Sequence, residues 1–122
     1  MLHRDIKSEN ILCSANGEIK LADMGLSVML HQQKKYRETR AGTPLWFAPE
    51  IALGRMYSKE VDVWAFGCFA YQLATGKTPF HYARDKTELF NCILGRDVAS
   101  IPQKWSDDFC DFVANCLKKD FR

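Results

Sequence analysis

Residues 63–74 constrain the fold more than any other stretch of this 122-residue chain. They are almost wholly apolar and make roughly 18 Å of helix, whereas a membrane span needs about 20 residues. So uniform a stretch predicts a helix covered on nearly every side, beginning after Ser58 as its N-cap. The remaining residues suffice for one domain built around it. With 47% of residues hydrophobic and 26% charged, the chain is set apart from disordered or low-complexity sequences. Lys and Arg number 17 against 15 Asp and Glu, a formal charge of +2, so no polybasic surface for nucleic acid or membrane is indicated.

Around that helix the pattern changes character twice. Residues 10–13 and 18–22 are short apolar-rich runs flanking Ser14-Ala15-Asn16-Gly17, and an Asn-Gly pair accepts the positive φ of a tight hairpin turn. From 23 to 50 a long loop is expected, because its centre at 31–41 is polar, carries Lys34, Lys35, Arg37 and Arg40, and has neither strand nor helix periodicity. A loop of that length inside a compact domain usually has a function. A second helix is expected over 86–94, with Leu89, Phe90, Ile93 and Leu94 on one face and Gly95 capping its end. In a third, capped by Ser106 and begun by Asp107 and Asp108, residues Phe109, Phe112, Val113, Cys116 and Leu117 form an apolar stripe. No internal repeat is visible.

The five cysteines form no C-x-x-C pair, which reads as reduced thiols buried as small hydrophobes. His3, His31 and His81 are too scattered to suggest a metal site. Met1 opens directly onto His3-Arg4-Asp5 with no export signal, so a cytoplasmic protein is expected.

Three motifs follow one another in order: His3-Arg4-Asp5-Ile6-Lys7-Ser8-Glu9-Asn10, then Asp23-Met24-Gly25, then Gly42-Thr43-Pro44-Leu45-Trp46-Phe47-Ala48-Pro49-Glu50. Together they resemble the catalytic loop (3–10), the metal-binding triplet (23–25) and the end of the activation segment (23–50) of protein kinases. The resemblance continues through Asp62-Val63-Trp64-Ala65-Phe66-Gly67, similar to the family's central helix, into a helical subdomain at 58–122. It implies a mainly α chain with a small β-hairpin region: the C-terminal lobe of the α+β protein-kinase-like fold, with the small N-terminal lobe absent from these residues.

By the same resemblance the intact domain transfers the γ-phosphate of ATP to Ser/Thr hydroxyls of proteins. Asp5 would accept the hydroxyl proton and Lys7 would meet the γ-phosphate. A lysine there, and Thr43 hydrogen-bonding Asp5 and Lys7, resemble the Ser/Thr-specific kinases. Asn10 and Asp23 would hold Mg²⁺, a hard cation that takes oxygen ligands. Thr39 stands where many members carry an activating phosphate set by an upstream kinase, with Arg4 to pair with it; Ser27 and Tyr36 are alternatives. His3, Gly25, Glu50 and Asp62 are structural by resemblance, Asp62 capping the backbone of the catalytic loop. Met24 replaces the commoner Phe and would serve as an apolar plug.

No G-x-G-x-x-G motif occurs, so neither the phosphate lid nor its partner lysine is expected within these residues. Asp120-Phe121-Arg122 resembles the family's Asp-Pro-x-x-Arg stretch two residues short of its arginine, leaving Glu50 without its ion-pair partner. Losing one side of a buried pair costs about 3–5 kcal/mol. The chain alone is therefore expected to be inactive. Two other readings are a non-catalytic binding module and a truncated piece beginning at an internal methionine. Retention of Asp5, Asn10 and Asp23 favours the enzyme.

Overall fold

The computed structural model describes residues 1–31, 36, 37 and 39–119. Strands β1 (Ile11–Cys13) and β2 (Ile19–Leu21) pair antiparallel in a two-stranded sheet, Ile11 opposite Leu21 and Cys13 opposite Ile19. Gly17 takes φ +86° in the turn, and the Ser14 hydroxyl accepts the Glu18 N–H at 3.0 Å. Four helices follow: α1 (Pro49–Ala52), α2 (Glu60–Thr75), α3 (Lys86–Gly95) and α4 (Asp107–Cys116). The expected mainly helical fold with a small β-hairpin is what the chain adopts.

The core lies where α2 packs on α4 and α1 on α3. Tyr57, Leu2, Ile93, Val113 and Cys68 are its largest fully buried side chains. A Cβ on Gly67 would come 2.6 Å from that of Cys116, so α2 and α4 cross where only hydrogen fits. Phe47 meets Phe90 of α3 at 6.1 Å between ring centroids, tying the segment before α1 to the helical body.

Four local expectations are corrected. Lys59, not Ser58, holds the N-cap position of α2, because the Val61 N–H already turns back to the Ser58 carbonyl. Gly95 is the last residue of α3, while the left-handed glycine that ends a helix is Gly76 after α2, at φ +82°. The central helix is not covered all round: Val63, Phe66 and Leu73 are exposed, because α4 and the core occupy only the face carrying Val61, Trp64, Ala65, Cys68 and Tyr71. Of the cysteines, Cys68 and Cys92 are buried and Cys110 and Cys116 partly so, whereas Cys13 sits exposed on the hairpin.

The region 23–50 carries little regular structure among its described residues, yet it is tied down at intervals. Leu2 and Val28 exchange both backbone hydrogen bonds, as do Arg37 and Tyr57. Among the described residues no helix is long and apolar enough to cross a membrane.

Candidate active site

The catalytic-loop residues are hung from α2. Asp62, in its first turn, accepts the backbone N–H of His3 at 2.7 Å through Oδ2 and that of Arg4 at 2.9 Å through Oδ1. Those two bonds hold Arg4 at φ +70°, a left-handed conformation that a branched-free side chain tolerates only when its surroundings impose it. Buried His3 accepts the Asp5 N–H at Nδ1 (3.2 Å), and its Nε2 lies 2.9 Å from the Ala22 carbonyl, bracing the loop against the end of the hairpin.

Asp5 thereby becomes the meeting point of three side chains. The Thr43 hydroxyl donates to its Oδ1 at 2.9 Å and accepts from the Lys7 ammonium at 3.0 Å. Lys7 Nζ also stands 3.8 Å from Asp5 Oδ2. Asn10 Nδ2 donates to the Asp5 carbonyl at 2.8 Å and to Oδ2 at 3.2 Å. Thr43 arrives from 38 residues away because Gly42, at φ +106°, lets the chain pass directly over the Arg4 carbonyl oxygen, into which any Cβ would collide.

The hairpin brings Asn10 and Asp23 to the same end of the sheet. Its register continues past the strands, with the Ala22 N–H donating to the Asn10 carbonyl at 2.7 Å, so Asp23 follows one residue beyond Asn10's partner. Asp23 is exposed, has φ +59°, and uses Oδ1 to accept the Gly25 N–H at 3.2 Å. Because Asn10 Nδ2 is occupied by Asp5, its amide oxygen is left with no protein partner among the described residues, as is Asp23 Oδ2. Hard oxygen donors left free in this way suit Mg²⁺.

Arg4 donates through Nε to the Leu26 carbonyl at 2.7 Å and through Nη1 to the Tyr57 hydroxyl at 3.3 Å. The same Tyr57 hydroxyl donates to the carbonyl of exposed Thr39. Tyr57 thus links the two residues expected to be regulatory, and sequence reasoning missed it: a lone buried tyrosine has no local signal. Met24 is 46% exposed; its sulfur lies 3.8 Å from the Ser27 hydroxyl, and its carbonyl accepts the Ser27 N–H at 3.0 Å.

Glu50 is buried in α1, and its Oε1 has no hydrogen-bond partner among the described residues. Burial pushes its carboxyl above the usual glutamate range; its own backbone N–H opposes the shift and Glu60 adds to it. Asp120, Phe121 and Arg122, with the expectation about Glu50's arginine, lie outside the described residues, as do Lys34 and Lys35.

Comparison with known proteins agrees with the motifs. A family model described as the protein kinase domain matches residues 1–122. The chain is 42% identical over 121 residues to serine/threonine-protein kinase pakB of Dictyostelium discoideum, covering 98% of this chain and 14% of that protein. To pakA of the same organism it is 44% identical over 120 residues, 98% of this chain and 10% of the relative. Serine/threonine-protein kinase ppk11 of Schizosaccharomyces pombe is 40% identical over 119 residues, 98% of this chain and 38% of its own length. The chain therefore spans well under half the length of these relatives.

Proposed function

The chain belongs to the protein kinase domain family, and from that premise we propose that it is the large, C-terminal lobe of a protein serine/threonine kinase, which transfers the γ-phosphate of ATP to Ser and Thr hydroxyls of proteins. The observation that carries this reading is the linked set Lys7, Thr43 and Asp5, one hydroxyl joining a cation to a carboxylate.

The chemistry follows from that set. Asp5 takes the proton of the acceptor hydroxyl as its oxygen bonds to the γ-phosphorus; the bond from that phosphorus to the β-phosphate oxygen breaks, and ADP leaves. Thr43 and Asn10 fix the carboxylate so that no reorientation is needed during transfer. Lys7 offsets negative charge on the phosphoryl oxygens as they move. Asn10 and Asp23 would hold Mg²⁺, which when bound neutralises phosphate charge. A small lobe would supply the phosphate lid. Phosphorylation of Thr39 by an upstream kinase would give Arg4 an anion to hold, in a segment already tethered to Arg4 through Tyr57. ATP, Mg²⁺ and reduced thiols together favour the cytoplasm as the place of work.

The test is Asp5→Asn in the full-length protein that carries these residues. Phosphate transfer to a serine peptide should fall about 10²- to 10⁴-fold while ATP affinity stays within about threefold. Undiminished transfer would remove Asp5 from the mechanism.

A further inference from the structure

Two cations converge on one aromatic ring. The Arg40 guanidinium lies 5.3 Å from the centroid of Phe90 and the Lys86 ammonium 5.5 Å from the same point, so they stand at most about 11 Å apart, the sum of those distances. Both side chains are exposed. The ring face offsets part of their repulsion. Neither has a carboxylate partner among the described residues, where the ion pairs join Lys7 to Asp5 and Arg84 to Glu88. Arg40 gives one N–H to the Ala52 carbonyl at 3.1 Å, closing α1, and keeps its remaining donors. The described carboxylates beside Lys86 on α3 are committed elsewhere. Asp85 caps α3 by accepting the Glu88 N–H at 2.7 Å, and Glu88 accepts both the backbone N–H and the Nε of Arg84. An anion arriving at Phe90 therefore meets two cations that no described carboxylate pairs.

The place of this pair gives it a use. Arg40 precedes by three residues the threonine that binds Asp5, and Phe90 rests on Phe47, whose ring edge lies beside Gly42. Three residues of extended chain span at most about 11 Å. A peptide presenting its hydroxyl to Asp5 covers the distance to Arg40 in about the same number of residues. Resting on the reading of Asp5 above, we propose that Arg40 and Lys86 form a subsite for an acidic side chain of the protein substrate, within about three residues of the serine or threonine that receives the phosphate.

The experiment uses the full-length protein and peptides with a single serine, alanine elsewhere, and Glu, Gln or Lys at each of the three positions on either side. At one of these positions Glu should raise kcat/KM about 3- to 10-fold over Gln, with Lys below both, and salt near 1 M should erase the difference. The Lys86 side chain makes no hydrogen bond to a described residue, so Lys86→Glu should keep the fold, checked by circular dichroism, and abolish the preference for Glu over Lys. Arg40→Lys should preserve the order and Arg40→Gln weaken it. Equal use of the three peptides, or a Glu preference surviving Lys86→Glu combined with Arg40→Gln, overturns the proposal. Dissociation constants of the same peptides, read by fluorescence anisotropy, decide the subsite without any transfer. A charge order in binding alongside Asp5→Asn that still transfers phosphate would leave the subsite standing and sink the catalytic reading.

Discussion

Thr43 has one hydroxyl and both its roles are taken: it accepts from Lys7 and donates to Asp5. Replacing it with valine keeps the shape and leaves a cation and a carboxylate 3.8 Å apart with nothing between them. Thr43→Val should lower kcat about 10- to 100-fold, the worth of one or two hydrogen bonds to charged groups, and Thr43→Ser should restore most of it. Steady-state kinetics on a serine peptide reads both. Glu50 makes a different prediction, on stability. Its carboxyl is raised when folded, so the folded chain holds that proton more tightly than the unfolded chain does. Burying Glu50 therefore costs stability at pH 7, and the cost fades as pH falls through the folded value toward the ordinary 4.5. Glu50→Gln should raise the Tm of this chain at pH 7 and change it little near pH 4.5, by thermal melts at the two pH values. Asp5, Lys7, Asn10 and Asp23 were legible through the resemblance of their motifs to the kinase family, whose phosphoryl-transfer chemistry calls for those residue types. Tyr57 and the free edge of Gly42 were not, since what they do depends on residues far along the chain.

Elements follow local rules where their ends are local and depart from them where packing decides. Ser106 caps α4 by accepting the Phe109 N–H at 3.1 Å, a signal written entirely within four residues. Asp85 does the same for α3 and was passed over, although aspartate followed three residues later by glutamate is a start signal. For α2 the periodicity could not say which side faces out, because Val63, Phe66 and Leu73 are as apolar as the buried residues between them. The contact between α2 and α4 rests on Gly67, where a side chain would meet Cys116 Cβ at 2.6 Å and Leu117 Cδ2 at 2.9 Å. Gly67→Val should separate the two helices at a cost of about 3 kcal/mol, measured by urea denaturation, whereas Gly67→Ala, meeting the same atoms with less bulk, should cost less.

At the scale of the molecule, the loops are tied to one another and to the helical body by bonds between distant residues: Leu2 with Val28, Arg37 with Tyr57, and His3 and Arg4 with Asp62. None has a composition or periodicity signal, and only the family resemblance brought Asp62 forward. The same arrangement leaves Phe66 and Leu73 of α2 facing Ile11, Ile19 and Leu21 of the hairpin across an open groove of about 690 Å³ that also takes in Ile6 and Phe69. Its lining is nearly all hydrocarbon, and attraction between such surfaces near room temperature is driven by entropy, so it weakens on cooling. Light scattering from the purified 122-residue chain should therefore rise between about 5 and 25 °C, and Leu73→Glu should flatten the curve. A chain that stays monomeric across that range would show the groove to be too shallow to matter. Otherwise refrigeration disperses the protein and warming clouds it, the opposite of what heat-driven dissolution would lead a bench worker to expect.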